Sequence, residues 1–113
     1  MCSQSHLEQI LQAVYEKAVA KFGTLLDNVI LYGSYARGDY DEQSDIDIMI
    51  KVRLTAKELK MYEWDFAVFS SRLSLMYDVM VSICLQDAET FEQYQNILPF
   101  FGNVAREGMI IGA

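Results

Sequence analysis

The chain has 113 residues, 52% of them hydrophobic and 22% charged, enough apolar material for one packed domain over residues 1–113 and too apolar for a disordered chain. Its net charge of −7, with no basic cluster, argues against long DNA or RNA as a tight partner and leaves room for a phosphate ligand bridged by a divalent metal or for a basic protein. No apolar run is as long as a membrane span, the N-terminus lacks the signal-peptide layout, and Cys2 and Cys84 make no disulfide framework, so free thiols in a reducing cytoplasm are expected.

In chain order, Ser5 to Phe22 is predicted helical. Leu7, Ile10, Leu11, Val14, Ala18 and Phe22 recur at i, i+3, i+4, i+7, Ser5 and Glu8 form a capping box, and Gly23 is the stop. Asn28 to Tyr32 is a short apolar run before Gly33 and is expected to be a buried strand. Ser34 to Gly38 makes a helical turn and Asp39 to Ser44 a polar loop. Asp45 to Val52 alternates, with Ile46, Ile48, Ile50 and Val52 on one face and Asp45, Asp47, Met49 and Lys51 on the other. Thr55 and Glu58 cap a second helix running to about Leu73, with Leu59, Tyr62, Phe66 and Phe69 as its apolar stripe. Met76 to Leu85 is expected to be a strand with Asp78, Met80 and Ser82 on its polar face. Asp87 caps a last helix to about Leu98, which Pro99 ends, and Met109 to Ile111 is a small edge strand. The order implies an α+β fold: a small mixed sheet with helices packed on one face and polar side chains on the other.

The chemistry concentrates in Gly33-Ser34-Tyr35-Ala36-Arg37-Gly38 and, with ten residues between Ser34 and Asp45, in Asp45-Ile46-Asp47. A strand that ends in Gly-Ser bends sharply, and the N–H groups and hydroxyl at the start of the next turn favour an anion, most naturally a phosphate. Asp45 and Asp47 at i and i+2 share a strand face. If Asp78 sits on the paired neighbour, three carboxylates gather, and they stay ionised together only around a cation. Oxygen ligands of this kind suit Mg²⁺. A phosphate turn beside such a cluster describes metal-assisted transfer at phosphorus, with two ions and no side-chain nucleophile.

Gly33-Ser34 followed at this spacing by Asp45-Ile46-Asp47 resembles the signature of the nucleotidyltransferase superfamily that includes DNA polymerase β. A chance match of these residues in a chain of this length is on the order of 10⁻³. The form Gly-Ser-Tyr-Ala-Arg-Gly, the short chain and the closing stretch Pro99 to Gly108 are similar to the minimal nucleotidyltransferases, the antitoxin components of HEPN/MNT toxin–antitoxin pairs. The resemblance implies a polymerase β-like fold, with Gly33 and Ser34 on the nucleotide triphosphate and Asp45 and Asp47 on two Mg²⁺ ions. It also implies Asp78 as third carboxylate, ATP as donor, and AMP transfer to a tyrosine of a partner HEPN-domain toxin. Two other functions stay open: a non-catalytic module that neutralises its partner by covering it, and small-molecule transfer of the aminoglycoside kind.

Other residues have plainer readings. Arg37 either reaches the nucleotide's phosphates or pins its loop through Asp39. Tyr32, Tyr35 and Tyr40 flank the motif, where packing is commoner than base stacking. Asp39, Asp41 and Asp45 suggest a calcium loop, but an EF-hand counted from Asp39 would need Gly at Ser44 and Glu at Ile50. Trp64, added to Tyr62, Phe66 and Phe69, gives the long helix more large apolar groups than one stripe needs, which points to a second, intermolecular face.

Overall fold

A computed structural model describes residues 3–111; Cys2 lies outside them. The elements are α1 (Gln4–Phe22), a 3-10 turn (Gly23–Leu25), β1 (Leu26–Tyr32), α2 (Ser34–Arg37), β2 (Ile46–Val52), α3 (Ala56–Tyr77), β3 (Val81–Asp87), α4 (Ala88–Tyr94), α5 (Pro99–Glu107) and β4 (Met109–Ile111). The strands form one sheet in the order β3-β2-β1-β4. β1 pairs antiparallel with β2 and β4, and β2 pairs parallel with β3 through the α3 crossover. The sheet is mixed, and β4 is the small edge strand expected from Met109 to Ile111.

The alternation in β2 decides which face is which. Ile46, Ile48, Ile50 and Val52 point into the main core with Val29 and Leu31 of β1. There they meet Ile10, Val14, Ala18 and Phe22 of α1 and Leu59, Phe66 and Leu73 of α3. α1 and α3 are tied at their surface by Asp65, which accepts from Lys17 at 3.0 Å and Lys21 at 2.9 Å. The other face is only half bare, a correction to the expectation that every helix packs on one side. A second apolar cluster of Ile30, Met49, Phe91 and Val104 lies there, because α4 and α5 fold back over the far end of β2.

β1 starts at Leu26, two residues before the expected Asn28, and β2 at Ile46, one after Asp45. Three other differences from the sequence expectation are larger. α1 is capped by Ser3, whose hydroxyl accepts from His6 N–H, not by Ser5. The helix expected from Asp87 to Leu98 is two helices. Asp87 does cap α4, accepting from Thr90 N–H, but Pro99 opens α5 at its first turn and does not end a helix. Proline suits that position because the N–H it lacks would have no partner there. Ile97 and Leu98, at the end of that expected helix, are 70% and 45% exposed. Finally, α3 runs one turn further than Leu73 and takes Met76 and Tyr77 into the helix, so β3 starts at Val81 and not at Met76. The Thr55–Glu58 capping box that opens α3 is present with both of its hydrogen bonds.

Candidate active site

β1 runs into Gly33, which takes φ +74°, and α2 starts at the next residue. The left-handed φ is one reason for glycine here. The second is contact: a Cβ on Gly33 would lie 2.5 Å from Asp47 Oδ2. The Asp47 carboxylate therefore rests on the bare Cα of the glycine, and the Gly-Ser turn and the Asp-x-Asp strand meet directly. Tyr32, the last residue of β1, is the register partner of Asp47. The N–H groups that open a helical turn have no carbonyl behind them, so Ser34 presents donors beside that carboxylate. The loop back to β2 is held by Tyr35 stacked on Tyr40, ring centroids 4.2 Å apart, and by a turn in which Asp41 accepts from Gln43 N–H at 2.8 Å. Both tyrosines therefore pack, as their plainer reading had it.

Asp45 is exposed just ahead of β2, and Asp47 is half-buried at its second position. Burial first, and then the Asp45 charge, push the Asp47 carboxyl above its usual 3.8, while Arg37 pulls it back. Two acids repel at this spot, and a cation between them would relieve both. Among the described residues neither makes a side-chain hydrogen bond or salt bridge. The donors are oxygen only, and the absent Cβ of Gly33 makes the room the Asp47 carboxylate takes. This donor set fits Mg²⁺, which takes one or two protein carboxylates and fills its remaining positions from phosphates and water.

Asp78 is placed differently from its expectation. It is the C-cap of α3, with φ 52° and ψ 46°, and is not a strand residue. A short polar side chain tolerates that left-handed conformation better than most. The turn into β3 is closed by Ser74, whose hydroxyl accepts from Val81 N–H at 2.9 Å and donates to Ser70 O. Asp78 does share a groove of about 460 Å³ with Asp45, along with Glu42, Ser74, Leu75 and Met80. It does not join Asp45 and Asp47 in one cluster: no group of three His, Cys, Asp or Glu side chains among the described residues is placed to hold a metal ion.

Arg37 is exposed and pairs with Asp39 at 3.2 Å and Glu107 at 3.4 Å, so the loop-pinning reading is the one the structure displays. Exposed pairs of this kind contribute little and exchange readily for a stronger anion. Arg37 also lines a cleft of about 210 Å³ with Tyr32, Gly33, Phe100, Asn103 and Glu107. This α5 wall escaped the sequence reading, and its signal was Pro99 followed by apolar residues at helical spacing. Tyr32 packs edge-on against Phe100, and its hydroxyl pKa is pushed up to about 12 by burial, then by Cys84 and Asp47. Burial likewise raises the Cys84 thiol, a free cysteine. No helix of the described residues is long and apolar enough to cross a membrane.

Comparison with known proteins bears on this geometry. Residues 7–100 match the nucleotidyltransferase domain family. "Putative protein adenylyltransferase MJ0604" of Methanocaldococcus jannaschii is 30% identical over 105 residues, covering 92% of this chain and 96% of that one. A second protein of that organism and description, MJ0141, is 51% identical over 59 residues, covering 50% of this chain and 56% of its own length. Two crystal structures share the fold. One is a toxin–antitoxin complex with AMP-PNP, at TM-score 0.53 and 20% identity, covering 96% of this chain and 73% of that one. The other, a "putative nucleotidyltransferase from Sulfolobus solfataricus", has TM-score 0.51 and 24% identity and covers 96% of this chain and 86% of that one. With the Gly33-Ser34 turn seated against Asp47 and the family match spanning most of its length, the chain belongs to the nucleotidyltransferase domain family, the polymerase β-like group its motifs resemble.

Proposed function

We propose that this protein transfers AMP from ATP to a hydroxyl group of a partner protein, most specifically to a tyrosine of a HEPN-type toxin that it thereby silences. The observation that supports this reading is the close approach of the Asp47 carboxylate to the Gly33 Cα, which brings the Gly-Ser turn and an acid of the Asp-x-Asp strand to one point. The names of the Methanocaldococcus relatives support protein adenylylation, and the shared fold with a toxin–antitoxin complex suits the partner.

In this reading Gly33 and Ser34 hold the triphosphate, and Arg37 leaves Asp39 and Glu107 to neutralise it. Asp45 and Asp47 hold Mg²⁺. When bound, the ion neutralises charge on the phosphates and lowers the pKa of the attacking hydroxyl. The acceptor oxygen bonds to the α-phosphorus while the bond to the β-phosphate bridging oxygen breaks, and pyrophosphate leaves. Asp78, which lines one groove with Asp45, takes the proton of the acceptor hydroxyl in this reading. Positioning and charge neutralisation then supply most of the rate.

The test is incubation with α-phosphate-labelled ATP, Mg²⁺ and a purified HEPN-domain protein. Label on an acceptor tyrosine, lost in the Asp45→Asn/Asp47→Asn double variant, supports the reading; equal labelling by that variant contradicts it.

One feature favours a second reading, a module that acts by covering its partner. Met61, Trp64 and Leu75 on α3 are 77%, 80% and 85% exposed at helical spacing; of the residues that suggested a second apolar face, Trp64 is among them. A partner neutralised in a stable complex by the double Asp variant, without label, would favour it.

A further inference from the structure

The sheet register identifies the position where a third carboxylate belongs, and the residue there is a serine. β2 and β3 pair in parallel with Asp47 opposite Ser82 and Met49 opposite Cys84. Met49 and Cys84 both reach the second apolar cluster, so that face is defined on both strands. Two residues earlier on each strand, Asp47 and Ser82 return to the same face. Paired strands lie about 4.8 Å apart, within reach of one ion for side chains of carboxylate length. Ser82 is exposed, and nothing covers it. Asp78 lies four residues earlier, outside the strand and at the end of α3.

We infer that Ser82 occupies the third-ligand position of this site, so that the chain's own side chains hold one divalent ion and not two. The inference rests on the reading of Asp45 and Asp47 as ligands. A neutral hydroxyl in place of a carboxylate removes a full ligand charge, and ligand charge count sets the affinity of oxygen sites for hard cations. The ligands needed for a second ion then come from the nucleotide's phosphates and the acceptor. The site is completed only when both are present, which restrains hydrolysis of ATP by the unpartnered protein.

The experiment is titration of the metal-free protein with Mn²⁺, followed by electron paramagnetic resonance of the free ion. The wild type is expected to bind one Mn²⁺ per chain. Ser82→Asp should tighten binding about tenfold or more, and Ser82→Asn, the neutral isostere of that aspartate, should leave it unchanged. Asp78→Asn should bind within about twofold of the wild type, since its carboxylate is not part of this set. Circular dichroism confirms that each variant is folded. A folded Ser82→Asp with wild-type affinity, or an Asp78→Asn that weakens binding as much as Asp47→Asn, overturns the inference while the proposed function stands. Unchanged Mn²⁺ binding in Asp45→Asn/Asp47→Asn instead removes the metal reading on which both depend.

Discussion

The two ends of one strand face behave in opposite ways. At the far end of β2, Lys51 is 8% exposed, and its ammonium sits 4.2 Å over the Phe91 ring and 3.3 Å from Asp27. The irregularity in β1 pairing between Leu26 and Asn28 falls at Asp27, and a bulge of this kind re-aims a side chain. Asp27 accepts from Lys51 and also, at 2.8 Å, from Arg53, which in turn meets Glu92. Every charge there has a partner within the protein. At the near end, Asp45 and Asp47 have each other and no cation bonded to them among the described residues. The same alternation that places Lys51 places Asp47. The difference is that Phe91 of α4 and Val104 of α5 pack over one end, while at the other α5 only walls a cleft beside Gly33 through Phe100 and Asn103. Paired and covered charge serves the fold; the uncovered pair of one sign is where the proposed function puts its ligand.

That contrast predicts a clean separation of effects. Asp45→Asn/Asp47→Asn should lower AMP transfer by about three orders of magnitude or more. The thermal midpoint should hold or rise, because repulsion is removed; a variant that unfolds would break the contrast. Phe91→Ala, at a residue 3% exposed under Lys51, should cost about 3 kcal/mol of stability by urea denaturation while the remaining folded fraction keeps its nucleotide affinity. Gly33→Ala tests the contact between turn and strand. It forces a Cβ against Asp47 and strains a positive φ, so transfer should fall about a hundredfold, with a smaller loss of stability of about 1 kcal/mol. The smallest effect is expected away from both ends. Lys21 and then Lys17 hold the Asp65 carboxyl below its usual 3.8, so its unfolded form binds protons first as pH falls. The stabilisation is present above that value and lost as pH drops through the folded one. Asp65→Asn should therefore differ slightly from wild type at pH 7 and converge with it in acid, as read by urea midpoints against pH.

Legibility of the sequence followed the same division. The near end was readable because its signals are local: Gly-Ser at a strand end, two acids at i and i+2 among isoleucines, and a capping box at Thr55 and Glu58. The cover at the far end was not, because it depends on what Pro99 does. A proline after a helical stretch reads equally as a stop or as the first residue of the next helix, and only packing of Phe91 and Val104 on Met49 decides. The span from Leu73 to Met80 was ambiguous for a related reason. Its alternation from Val79 onward is that of β3, and Ser82, expected on the polar face, is exposed. Leu75, Met76 and Tyr77 also suit a helix, and α3 claims them up to the left-handed turn at Asp78. A displaced boundary of a few residues was enough to move an acid out of the strand and leave a serine opposite Asp47.

The central claim is that the open end of the sheet binds a nucleotide through a divalent ion held by Asp45 and Asp47. Calorimetric titration with AMP-PNP tests it most directly. The claim predicts binding in Mg²⁺ that is lost with chelator and lost in Asp45→Asn/Asp47→Asn; binding of equal strength without Mg²⁺, or by the double variant, would contradict it.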